Sequence, residues 1–90
     1  MIKIIYDANK AQSNLIKHGV NFEDAKQALF DPHALVSEDN DHDEARFVLV
    51  GMAHKLLVVV YCYLDDDNII RLISARTATK MERKAYESGI

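Results

Sequence analysis

Hydrophobic and polar positions change their period along the chain, and each change marks an element. Met1 to Tyr6 alternates apolar residues around Lys3, a two-residue repeat that predicts a short strand. From Ala8 to His18 the period becomes helical, and the spacing of Ala8, Ala11 and Leu15 predicts a helix with these three on its inner face. Asp7 is placed to cap that helix, Lys17 and His18 complement the dipole of its last turn, and Gly19 supplies a left-handed end. A second helix follows, with Asn21 as cap, Glu23 and Asp24 in the first turn, Phe22, Ala25 and Leu29 as its stripe, and Pro32 as its stop.

Beyond Pro32, "HALVS" predicts a brief strand and "EDNDHDE", from Glu38 to Glu44, a polar loop. Three strand-like runs follow: "RFVLVGM", "LLVVVYCYL" and "NIIRLISAR", separated by a link at Ala53 to Lys55 and a turn at Asp65 to Asp67. They predict an antiparallel meander. The middle run is apolar on both faces, so it is expected to be the central strand with helices over at least one side. Thr79 and Glu82 frame a capping box that opens a short last helix, with Met81 and Ala85 expected to face inward. The whole reads as α+β: an N-terminal strand and two helices packed on an antiparallel sheet of about four strands, then a short C-terminal helix.

Ninety residues, 49% of them hydrophobic and 28% charged, accommodate one folded domain with one core, expected to span residues 1–90. The longest apolar run, Leu56 to Leu64, is strand-sized and the N-terminus lacks a signal-peptide pattern, so a cytoplasmic location and no membrane partner are expected. Cys62 is the single cysteine and lies inside that run, where a thiol acts as a small hydrophobe. Net charge is −3, but it is segregated: +1 over residues 1–30, −7 over 31–67 and +3 over 68–90. The basic end includes Arg71 and Arg76 within or beside an apolar strand.

The acidic loop invites a metal reading, because Asp39, Asp41 and Asp43 alternate as in a calcium-binding loop. Glu44 stands where that loop needs glycine and Val50 where it needs a bidentate glutamate, so no metal is expected, and no other cofactor. A looser site using His42 is the remaining metal alternative; otherwise the loop is a solvated one that keeps a sheet edge soluble.

Two arginines in an Ile- and Leu-rich strand need another explanation. An unpaired buried guanidinium is costly, so each must reach solvent, an anionic ligand, or a carboxylate such as Glu82 or Asp7. Five residues separate Arg71 from Arg76, which in a regular strand places them on opposite faces; they share a face only if the strand ends or bulges near Ser74. Arg46 opens a neighbouring strand, and Lys80, Arg83 and Lys84 add charge from the last helix. Such a cluster suits a phosphate-sized anion. RNA cleavage without a metal also needs a group to activate the 2′-hydroxyl and one to protonate the departing 5′-oxygen. The available types are His18, Lys10, Tyr86 and Glu82. His18 has a plain structural alternative, as the positive end-group of its helix.

"YDANKAQSNLIKHGVNFEDA", "DEARFVLVG", "LLVVVYCY" and "IIRLISARTATKMERKAYE" together resemble the BrnT toxins over Tyr6 to Glu87. The resemblance implies a RelE-like fold and a metal-independent endoribonuclease that inhibits translation and growth as the toxin of a type II toxin-antitoxin pair. It implies RNA as substrate and a BrnA-like ribbon-helix-helix antitoxin as partner, with operator DNA reached only through that antitoxin. Carried over by position, Arg46, Arg76, Lys10 and His18 are the expected catalytic residues, and Arg71, Lys80, Glu82 and Arg83 the expected substrate-binding ones. Tyr6 replaces the family's usual Trp, and Met52 and Ala53 stand where Arg and Ser often follow the glycine. The second departure leaves an alternative open: a catalytically weak relative that mainly holds an antitoxin and tunes repression of their operon.

Overall fold

The computed structural model describes residues 2–40, 44–64 and 67–89. The elements run β1 (Lys3–Ile5), α1 (Ala8–His18), α2 (Phe22–Ala28), β2 (Leu35–Asp39), β3 (Arg46–Met52), β4 (Leu56–Tyr63), β5 (Ile69–Thr77) and α3 (Lys80–Ser88). The helix ends follow from local chemistry. Asp7 accepts from the backbone N–H groups of Asn9 and Lys10, and Asn21 from those of Glu23 and Asp24. Gly19 closes α1 at φ 69°, a left-handed conformation that a side chain would strain. At α3, Thr79 and Glu82 exchange the reciprocal bonds of a capping box.

The strands form one sheet in the order β1-β5-β4-β3-β2. From β3 to β5 it is the antiparallel meander expected, with β4 central, and β2 extends it by pairing antiparallel with β3. Two expectations are corrected. The sheet has five strands rather than about four, because β1 joins it, and it is mixed, because β1 runs parallel to β5. The long excursion between these two strands supplies the crossover that a parallel pair needs and a hairpin cannot. The polar loop also starts later than expected, since Glu38 and Asp39 belong to β2 and pair with Phe47 and Arg46. The metal reading of the loop rests on Asp41, His42 and Asp43, which lie outside the described residues.

One sheet face packs on α1 and α2. Leu49, Leu57, Val59, Tyr61, Ile70, Leu72 and Ala75 meet Val20, Phe22, Ala25 and Ala28 in a single core cluster. Burying a side chain of the size of Phe22 or Leu57 stabilises the fold by about 1.5–3 kcal/mol. Gly51 lets α2 approach: a Cβ there would lie 2.6 Å from the Ala28 carbonyl oxygen. On the opposite face Leu56, Val58 and Cys62 are fully buried as well, so β4 is covered on both sides.

Two helix faces differ from expectation. On α1 the buried residue is Asn14, at 6% exposure, whereas Leu15 is 48% exposed and Ala8 is exposed. On α3 the inward residue is Tyr86, while Met81 is 83% exposed and Ala85 is exposed. In both helices a polar atom decides. The amide of Asn14 and the phenol of Tyr86 each bond to a group of the body, which apolar neighbours on the same turn cannot do.

Candidate active site

The site is organised by a bulge in β5. Val60 pairs with Ser74 but Tyr61 pairs with Leu72, so Ile73 is an extra residue with no partner in the ladder. The extra residue reverses the alternation of side chains. Arg71 pairs with Cys62 and Arg76 with Val58, both on the same face of β4, so the two arginines share one face despite their odd spacing. Ser74, opposite Val60, stands between them on that face. Arg46 precedes Phe47, the partner of Tyr61, which places it on the rung of Cys62 and Arg71.

Arg46 and Arg71 therefore converge from two strands, and Glu44 lies between them. Arg71 Nη2 donates to Glu44 Oε1 at 3.1 Å and Oε2 at 3.3 Å, and Arg46 Nε is 3.7 Å from Oε1. The Nε atoms of both arginines are buried without a hydrogen-bond partner. Arg76 stands apart. Four residues of β4 separate its partner from that of Arg71, about 13 Å at ~3.3 Å per residue. Its Nη1 and Nη2 donate to the two carboxylate oxygens of Glu82, each at 2.8 Å. The Arg76 guanidinium, ahead of the capping-box bonds from Thr79, holds the Glu82 carboxyl down at about 2.

The helix layer adds the remaining groups. β1 covers only the first part of β5, and beyond it α1 lies against the exposed edge. Asn14 makes this contact specific: Nδ2 donates to the carbonyls of Ala75 at 2.8 Å and Val20 at 2.9 Å, and Oδ1 accepts from the Ala75 N–H at 3.0 Å. Lys10, Ser13, Lys17 and His18 share the Asn14 side of α1 and, with Ile73 and Ser74, line a groove of about 200 Å³. A larger depression of about 290 Å³ lies elsewhere, along Tyr6, Ala11, Leu15 and Phe22. Neither depression is lined by an arginine, but the smaller one gathers Lys10, Lys17, His18 and Ser74, side chains able to bind an anion or move a proton.

Lys10 and His18 thus share the groove, next to Ser74 and hence one same-face position from Arg76, while Arg46 and Arg71 form a second cationic point farther along β5. Lys80 and Arg83 are exposed on α3, and Glu82 holds Arg76 in place. Two acid–base types are occupied elsewhere: Glu82 by its ion pair, and Tyr86 by donation from its hydroxyl to Asp31 Oδ2, which raises the phenol. Asn14, Lys17 and Ser74 join the groove although the sequence gives Lys17 and Ser74 only structural parts, at a helix end and a bulge, and Asn14 none. The spacing of residues 10, 14 and 17 along one helix face was the available signal for Lys17. Among the described residues no three His, Cys, Asp or Glu side chains are placed to hold a metal ion.

The family model described as ribonuclease toxin, BrnT, of type II toxin-antitoxin system matches residues 6–82, which contain all of α1, the groove and every arginine of the site except Arg83. The chain belongs to the BrnT family. Membership makes it a ribonuclease toxin of a type II system, a class that implies an RNA target and an antitoxin partner. A comparison with curated proteins found no match. No described helix is long and apolar enough to cross a membrane.

Proposed function

We propose that this BrnT protein is a metal-independent endoribonuclease, with a RelE-like arrangement of helices on a sheet, that cleaves RNA in the cytoplasm and thereby arrests translation and growth. The observation that carries the reading is the groove in which His18, Lys10 and Lys17 meet Ser74, with Arg76 next along the same sheet face. In the proposed reaction the 2′-oxygen attacks phosphorus, its proton goes to a base, and the P–O5′ bond breaks as the 5′-oxygen takes a proton. His18 supplies the imidazole in the groove, the side-chain type most often used for general acid–base catalysis. Lys10 and Lys17 supply positive charge beside it, and Arg76 stabilises the extra negative charge on phosphorus. Side-chain cations do the work that a Lewis acid does in metal nucleases.

The proposed partner is a BrnA-type ribbon-helix-helix antitoxin, which neutralises the toxin by covering the cationic face and connects it to operator DNA. Incubation of purified protein with RNA, with and without a chelator, tests the reading. Cleavage unaffected by the chelator is the expected result; cleavage abolished by it contradicts the metal-independent route.

Two observations favour a second reading, a weak nuclease that mainly binds its antitoxin. Arg71 and Arg76 are each already paired with a carboxylate, and Met52 stands where relatives often carry an arginine. Purified protein that binds an antitoxin tightly but leaves RNA intact would establish it.

A further inference from the structure

We propose that Arg46 and Arg71 form a seat for a single backbone phosphate of bound RNA, and that Glu44 fills this seat in the free protein as an internal stand-in which RNA must displace. The inference rests on the ribonuclease reading and adds a second anchoring point, removed from the groove that carries the chemistry.

The arginines reach the same place from strands on either side of β4, flanking Cys62, and each points its guanidinium at one carboxylate. A guanidinium pair brought together in this way repels itself unless an anion lies between. Glu44 is that anion, but it fits incompletely. It accepts hydrogen bonds from Arg71 Nη2 alone among the donors of the two groups that face it, and both Nε atoms stay buried and unpartnered. A buried donor without an acceptor costs about 1–3 kcal/mol, so the present arrangement is not the one that these donors best serve. A phosphodiester carries two unesterified oxygens on a tetrahedral centre and can accept from more directions than a planar carboxylate, which favours it as the occupant.

Displacement is feasible because Glu44 is weakly held. Its side chain is 44% exposed, and it belongs to no helix or strand. Exposed ion pairs of this kind contribute about 0–1 kcal/mol. The seat lies about 13 Å along β5 from Arg76, at ~3.3 Å per residue, so it grips a phosphate other than the one being cleaved and fixes how the strand crosses the sheet.

The test is binding of a fluorescent 2′-O-methyl oligoribonucleotide, which cannot be cleaved through its 2′-position, measured by anisotropy on the full chain. Glu44→Gln is expected to bind roughly three- to five-fold more tightly than wild type, the equivalent of one exposed ion pair. Glu38→Gln makes the same charge change on the other face of β2 and is expected to bind like wild type. Adding Arg71→Ala to Glu44→Gln is expected to remove the gain. Equal affinity of Glu44→Gln and wild type, an equal gain from Glu38→Gln, or a gain seen only for an antitoxin peptide overturns the seat. Cleavage of ordinary RNA by wild type is read separately. Cleavage without the Glu44→Gln gain removes the seat and keeps the ribonuclease; the gain without cleavage keeps the seat and removes the ribonuclease.

Discussion

Asn14 binds the backbone of Ala75 as a neighbouring strand would, donating to its carbonyl oxygen at 2.8 Å and accepting from its N–H at 3.0 Å. This side chain replaces β1 where that strand has ended, and it sets the distance between α1 and the bulge. Replacing it with Ala leaves both Ala75 groups and the Val20 carbonyl without their partner. We expect Asn14→Ala to lose about 2–4 kcal/mol in urea denaturation, at one to three kcal/mol per stranded group with some recovery from water. A loss under about 0.5 kcal/mol would show that the helix is held by packing alone.

Acid stability follows from Glu82. Its carboxyl, ordinarily at 4.5, is held at about 2 in the folded chain, chiefly by Arg76. A group depressed on folding contributes its full stability above the unfolded value and loses it as pH falls through the folded one. The window is therefore about pH 4.5 down to about pH 2. With the Glu82 side chain about a quarter exposed, the contribution after solvent screening is on the order of 1–2 kcal/mol. Glu82→Gln is expected to melt lower at pH 7 and to lose less on acidification than wild type. Glu23 and Asp31 are also lowered, by Tyr6 for the first, and for the second by Tyr86 and two backbone N–H groups, which together outweigh the upward push of desolvation, so some acid sensitivity persists in the variant.

Gly51 offers a test of how closely α2 is seated. A methyl at this position meets the Ala28 carbonyl oxygen at 2.6 Å and Leu49 Cδ2 at 2.8 Å, and backbone cannot yield as a side chain can. Gly51→Ala is expected to cost about 1–3 kcal/mol, visible as a lower melting temperature.

The elements were legible where the determining chemistry is local. Asp7, Asn21, Gly19 and the Thr79–Glu82 box are caps that act within a turn, and the three long strands carry unambiguous periods. The errors share a different cause. Hydropathy places Leu15 in the core and Asn14 at the surface, and only the edge of β5 explains why an amide belongs inside. Likewise, β1 was readable as a strand, but its parallel partner lies more than sixty residues away. The parity of Arg71 and Arg76 showed that a bulge near Ser74 was required if they were to share a face, and β5 has one at Ile73. The pairing of Arg46 with Arg71 rather than Arg76 depends on register, which no single run of sequence encodes.

Catalysis at the groove gives the most direct test. Purified wild-type protein and the His18→Ala and Arg76→Ala variants, each checked for an unchanged circular-dichroism spectrum, are to be compared for single-turnover cleavage of one RNA. General acid–base groups and charge stabilisers of this kind contribute about 10²–10⁴-fold. Cleavage by wild type and a loss of at least about a hundredfold in each variant are expected. Wild-type rates in both folded variants would contradict catalysis at the groove.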